Sequence, residues 1–169
     1  MSVISRNPKR NAIPGVSYHI GDISDSSRVH ELVLSIRPSI IVHAACPHPT
    51  TASRHAYERI VVNGTRDLLT SATQATSVKA FIYTSSATMA AGPEHINLDE
   101  DTPLADTISS SHPYARCKAV ADKMVLQANA TPQHDDMPSL LTGCIRLPIV
   151  YGERDLLSIP ETLKALEKN

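Results

Sequence analysis

The chain has 169 residues, 41% of them hydrophobic and 20% charged, which suits one globular domain with a real core and excludes a disordered chain. Its 16 Lys plus Arg nearly cancel its 17 Asp plus Glu, so no global field draws it to nucleic acid or to an anionic membrane surface. The longest stretch without Asp, Glu, Lys or Arg, from Pro38 to Ser53, is shorter and more polar than the ~20 apolar residues of a membrane span, and Met1 to Ile4 ahead of Arg6 contain no apolar signal region. The expectation is a cytoplasmic protein without a membrane span, membrane association of a longer parent being left open.

Taken in chain order, short β-rich runs alternate with helical patterns, the signature of βαβ units and a parallel sheet. Ser2 to Ser5 reads as a strand closed by Arg6, Asn7 and Pro8, and Val16 to Ile20 as a second after the Pro14-Gly15 turn. Asp22 and Ser24 offer caps for a helix whose apolar stripe is Val29, Leu32, Val33 and Ile36, terminated by Pro38. Ile40 to Val42 is a β-branched run of the kind buried on both faces of a parallel sheet. A helix is expected from Ala56 to about Ala75, with Ile60, Val61, Leu68 and Leu69 inward, then a strand from Ala80 to Thr84 that runs into Ser85 and Ser86. Between Ala90 and His112 the pattern is lost among Gly92, Pro93, Pro103 and a serine triplet, which predicts a long loop of the functional kind. A helix from near Pro113 to about Ala130, a strand from Leu140 to Leu147 and a helix from Glu161 to Glu167 complete the pattern.

Cys46, Cys117 and Cys144 are widely spaced and odd in number, so they read as free, buried thiols rather than a disulfide framework or a zinc knuckle. No HExxH occurs among the histidines, and the loop cluster His43, Cys46 and His48 lacks metal-ligand spacing. Tyr114 and Lys118 carry more information. Four residues apart on a helix, they share a face. An ammonium ~4 Å from a phenolate at an effective dielectric of ~20 favours the charged form by roughly 4 kcal/mol. That is enough to bring a tyrosine from ~10 to near ~7, where a general acid/base works best. Ser86 closes a predicted parallel strand at its carboxyl end, where doubly wound sheets hold their ligands; a serine there is otherwise a common turn former.

Tyr83-Thr-Ser-Ser-Ala-Thr88, Tyr114-x-x-x-Lys118, His43-Ala-Ala45, Val62-Asn63-Gly64-Thr65, Gly21-Asp22-Ile23 and Arg146-Leu-Pro-Ile-Val-Tyr-Gly152 occur in the order and approximate spacing of the extended short-chain dehydrogenases. The chain resembles most the 3β-hydroxysteroid dehydrogenase branch, which includes the sterol-4α-carboxylate 3-dehydrogenases. The resemblance implies a Rossmann-type doubly wound parallel sheet and an NAD(P)-dependent oxidoreductase acting on a secondary alcohol or ketone of a sterol-like or terpenoid skeleton. It implies that Ser86 holds the reacting oxygen, Tyr114 is the general acid or base, and Lys118 lowers the tyrosine pKa and holds the nicotinamide ribose. By the same resemblance Asp22 and Ile23 contact adenine, Ala44 and Ala45 let the cofactor backbone approach, and Pro148 borders the nicotinamide. Asn63 matches a helix asparagine with a structural or proton-relay role. Cys117 stands where the family usually has serine, and Asp122 where it has glutamate.

The six glycines form no G-x-x-G-x-x-G or G-x-G-x-x-G turn for a pyrophosphate. By the family comparison residues 1–152 are then a partial dinucleotide-binding domain and 153–169 the start of a substrate-binding region, with the first strand and its glycine turn lacking. In the strand order 3-2-1-4-5-6 that strand lies between those present, so the sheet is expected to divide. Weak dinucleotide binding and an inactive isolated chain follow as expectations. Arg6 after the first strand present favours NADP by its chemistry, whereas the resemblance favours NAD. The competing readings are a sugar-nucleotide epimerase or dehydratase, a small-carbonyl reductase, and an inactive fragment that acts only by subunit pairing; a homodimer is compatible with each.

Overall fold

The computed structural model describes residues 1–8, 12–91, 96–107, 112–130, 139–153, 155 and 158–167. Gly92, Pro93 and the serine triplet of the expected loop lie outside the described residues. Among the described residues there are five strands: β1 (Ser2–Ser5), β2 (Ser17–Ile20), β3 (Ile40–His43), β4 (Ala80–Ser86) and β5 (Leu141–Leu147). They form two sheets, β1-β2 and β3-β4-β5, parallel throughout. The division expected from the strand order is therefore observed, and β1 and β3 are each bonded to one strand only.

Helix α1 (Ser26–Ile36) is capped by Asp25, which accepts from the Arg28 N–H. Asp22 and Ser24, the expected caps, are spent on each other: the Asp22 carboxylate accepts from both the backbone N–H and the hydroxyl of Ser24. This Asx turn leaves the next carboxylate to meet the helix. The helix stops at Arg37, which takes a left-handed conformation (φ 51°) ahead of Pro38.

The expected helix over 56–75 is interrupted. It runs as α2 (Arg54–Tyr57), a π-helical segment Glu58–Asn63 and α3 (Gly64–Gln74). The widened turns span the crowded β-branched run Ile60 to Val62, and just beyond them the Thr65 hydroxyl bonds the Val61 carbonyl. Gly64 is required here by space, since a Cβ would lie 2.9 Å from Ile23 Cγ1 and 3.2 Å from the Ile23 carbonyl oxygen. Helix α4 (Pro113–Gln127) has His112 as its cap and proline at its start. Helix α5 (Ser158–Leu166) opens with both Asp155 carboxylate oxygens on the N–H groups of Ser158 and Ile159.

One core serves α1, α3 and α4 on a single face of the three-stranded sheet. Val29 and Val33, Leu68, Leu69 and Ala72, and Ala121 and Val125 meet around Phe81 and Tyr83. With side chains alternating along each strand, the opposite face carries Ile40, Val42, Leu141 and Ile145, all more than half exposed. The free thiols differ from the expectation: Cys117 is buried and Cys144 half-buried, but Cys46 is exposed in the loop after β3. Among the described residues no helix is long and apolar enough to cross a membrane.

Candidate active site

The candidate residues gather at the carboxyl ends of the strands. Arg6 follows β1, Asp22 and Ile23 follow β2, Ala44 and Ala45 follow β3, Ser86 ends β4 and Pro148 follows β5, the edge at which open parallel sheets bind ligands. Arg6 and Asp22 come together: the Asp22 carboxyl is held below the ordinary carboxylate range first by the Ser24 backbone and hydroxyl, with Arg6 and Arg59 adding their charge. Ala44, Ala45 and Pro148 are exposed.

Ser86 is buried, and its hydroxyl pairs with that of Thr88 at 2.9 Å and accepts from the Thr88 N–H at 3.3 Å. Tyr114, at the start of α4, is partly buried, which pushes its phenol up from the usual value, while a hydrogen bond with Ser86 pulls it back. Serine and tyrosine thus meet across the gap between β4 and α4. Lys118, one turn further along α4, is 3% exposed. It donates to the Thr84 carbonyl at 2.7 Å and sits 4.6 Å above the Tyr83 ring. Burial holds its pKa below the lysine norm.

The expected drop of Tyr114 toward neutrality through Lys118 is not what this arrangement produces. Charge from Lys118 does not figure among the influences on the Tyr114 phenol, and burial outweighs the help from Ser86. The reason is where the ammonium goes: a desolvated Lys118 seeks the Thr84 carbonyl and the π face of Tyr83 rather than the tyrosine four residues away. Asn63, matched to a structural or proton-relay role, is exposed, and its side-chain oxygen accepts from Arg66 at 2.7 Å, a contact on the helix surface.

Several contributors were not foreseen from the sequence. His43 is 2% exposed, its ring 5.4 Å from that of Tyr83. The single hydroxyl proton of Thr65 goes to Val61, so His43 Nε2 is the donor in its 3.0 Å bond to Thr65. Burial first, and Lys118 second, pull His43 down to about 4, so the imidazole is neutral. Thr88 could have been found from its position two residues after a strand-ending serine. Beside Ser86 and Met89 lies a cleft of about 130 Å³ whose other wall includes Leu98, Glu100, Leu104 and Arg146.

A nicotinamide dinucleotide fits this set at its ribose ends. Lys118 spends one of three donor hydrogens on Thr84. The Tyr83 hydroxyl, buried beside Tyr114, has no hydrogen-bond partner among the described residues. The pyrophosphate is another matter, for the sequence contains no glycine-rich turn to meet it.

A parallel α/β fold with serine, tyrosine and lysine at the carboxyl edge of its sheet is the architecture of the short-chain dehydrogenase/reductase class. Residues 4–169 match the 3-beta hydroxysteroid dehydrogenase/isomerase family, and the chain belongs to that family. It is 32% identical over 146 residues to the sterol-4-alpha-carboxylate 3-dehydrogenase ERG26, decarboxylating, of Candida albicans, an alignment covering 86% of this chain and 39% of that one. It is 27% identical to the 2-alkyl-3-oxoalkanoate reductase of Shewanella oneidensis over 88% of this chain and 38% of the relative. The chain thus spans well under half the length of these two relatives. In fold it superposes on the Bordetella bronchiseptica enzyme WbmH in complex with NAD+, with a TM-score of 0.75 at 19% identity, covering 99% of this chain and 54% of the other. WbmG from the same organism, in complex with NAD and UDP, gives a TM-score of 0.74 at 20% identity, covering 99% and 51%.

Proposed function

We propose that this chain carries the catalytic residues of an NAD(P)-dependent oxidoreductase that interconverts a secondary alcohol and a ketone on a sterol-like or terpenoid skeleton. The observation that carries the reading is the meeting of Ser86 and Tyr114 at the end of β4, with Lys118 buried one turn along the same helix. Ser86, released from Thr88, holds the substrate oxygen. The Tyr114 phenol exchanges a proton with that oxygen as carbonyl becomes hydroxyl or the reverse. Lys118 offers its remaining donors to a ribose; at the adenosine end Arg6 donates and the Asp22 carboxylate accepts. The nicotinamide, when bound, supplies or accepts the hydride. The sterol preference is supported by the family and by the Candida relative.

Titration of the chain with NAD(H) and NADP(H), followed by thermal unfolding, tests the cofactor half of this reading. A specific ligand at a hundredfold excess over Kd stabilises the fold by roughly 2.7 kcal/mol. Turnover of hydroxy- and ketosterol probes tests the other half, with Tyr114→Phe as the decisive variant. The expected outcome is a loss of roughly 10² to 10⁴ in kcat with unchanged circular dichroism and melting. A Tyr114→Phe chain as active as its parent overturns the assignment.

A further inference from the structure

The wall of the cleft facing Ser86 is not held by a strand ladder. Its described ties include a single antiparallel bridge between Ala90 and Leu104, the Ala91 N–H on the Pro103 carbonyl at 2.7 Å, the turn closed by Thr102 on the Asp99 carboxylate at 2.8 Å, and, at its far end, Lys123 of α4 on the Asp106 carboxylate at 2.6 Å. A second attachment comes from Arg146 on β5, in register with Ser85 on β4. Its Nη1 donates to the Glu100 carbonyl at 3.0 Å and reaches the Asp99 carbonyl at 3.5 Å. Its Nη2 and Nε donate to the two carboxylate oxygens of Asp122 at 3.0 and 3.4 Å. Asp122 is fully buried and lies on α4 one turn beyond Lys118 and two beyond Tyr114, so it shares their face of the helix.

We propose that Arg146 is a positioning residue for the candidate active site: a clamp with one arm on the helix that carries Tyr114 and Lys118 and the other on the backbone of the cleft wall at Asp99 and Glu100. The proposal deepens the oxidoreductase reading, on which it rests for the cleft being the substrate site. A planar guanidinium has five donors in a fixed fork, so it can face a carboxylate with two nitrogens and still present the third to a carbonyl. A lysine ammonium in its place keeps the charge opposite Asp122 but not the fork. The separation of the wall from Tyr114 at Asp99 and Glu100 then depends on this side chain, the Lys123–Asp106 pair holding the wall's far end to α4, and that separation is what a rigid polycyclic substrate would sense.

The test compares Arg146→Met and Arg146→Lys in the full chain by thermal unfolding and by cleavage after Glu100 with a glutamate-specific protease, whose scissile carbonyl is the one Arg146 holds. Loss of a charge-assisted hydrogen bond is expected to speed that cleavage roughly tenfold or more in both variants, well below their melting temperatures. Arg146→Lys is expected to regain most of the melting temperature lost in Arg146→Met while remaining fast to cleave. Recovery of both properties by lysine, or cleavage at the parent rate in either variant, overturns the clamp. An Arg146→Met chain that does not fold leaves the decision to Arg146→Lys. With a substrate in hand, Arg146→Lys raises KM more than it lowers kcat, and a loss confined to kcat also overturns the clamp. In a parent chain without turnover, proteolysis and melting decide the clamp.

Discussion

The two sheets of this molecule differ in how they are held. The three-stranded sheet has a core, with Phe81 and Val78 fully buried and Tyr57, Tyr83 and Val61 at 1% exposure, packed under α1, α3 and α4. The β1-β2 ribbon has 36% of Ile4 and 66% of Ile20 in solvent. It is tied to the rest at a few tight points, where Gly21 admits Ile4 and Leu32 and Gly64 admits Ile23. A lone two-stranded ribbon is marginal in water, and β1 and β3 each pair along one edge only. The consequence is a division of labour: Ser86, Tyr114 and Lys118 stand on the stiff part, whereas Arg6, Asp22 and Ile23, the adenosine-end candidates, stand on or beside the loose one.

At the strong end of this contrast, Phe81→Ala is expected to cost about 3–5 kcal/mol of unfolding free energy in urea, the range for a fully buried aromatic. A cost below about 1 kcal/mol would break the contrast at its strong end. Acid tests the same core through His43. Held neutral in the fold and down to about 4, against an ordinary 6.5, His43 binds its proton more readily in the unfolded chain. Its contribution is complete above about 6.5 and is lost as pH falls toward 4, by about 3 kcal/mol. His43→Gln, which keeps a donor for Thr65, is expected to flatten the melting profile between those values. An unchanged profile would show that His43 is not the group responsible.

Gly64→Ala probes the seam, because its Cβ would press on the Ile23 side chain and carbonyl. The expected loss is about 1–3 kcal/mol, as for other overpacked sites. Hydrogen exchange is expected to accelerate in residues 17–25 before it changes in β4; uniform acceleration would mean that the ribbon is part of the main cooperative unit. Ile4→Ala, on the exposed ribbon, is expected to cost less than about 1 kcal/mol, with its effect confined to exchange in β1 and β2.

Much of this was legible in the residues. Period and punctuation located the five strands of the described residues to within one or two residues; Ile40 to Val42 and Phe81 to Thr84, for example, are β-branched or aromatic runs bounded by Pro38, Ser39 and Ser85. The strand order gave the split sheet, and six ordered motifs gave the family. What stayed hidden depends on competition between groups. Asp25 caps α1 while Asp22 is occupied by Ser24, and the widened turns at Glu58–Asn63 sit in a run whose apolar period reads as ordinary helix.

The site divides along the same line. Local sequence placed Tyr114 and Lys118 on one helix and Ser86 at a strand end, because helical periodicity and strand punctuation are short-range properties. Only the packing of α4 on β4 decided that Ser86 meets Tyr114 while Lys118 turns to the Thr84 carbonyl and the Tyr83 ring. Only the tertiary structure brought Arg146 to Asp122, 24 residues away, and to Glu100, 46 residues away. Spacing along the chain says which groups share an element. Where a buried charge finds its partner is fixed by the dry space left between elements, because a group removed from water must take whatever acceptor that space provides.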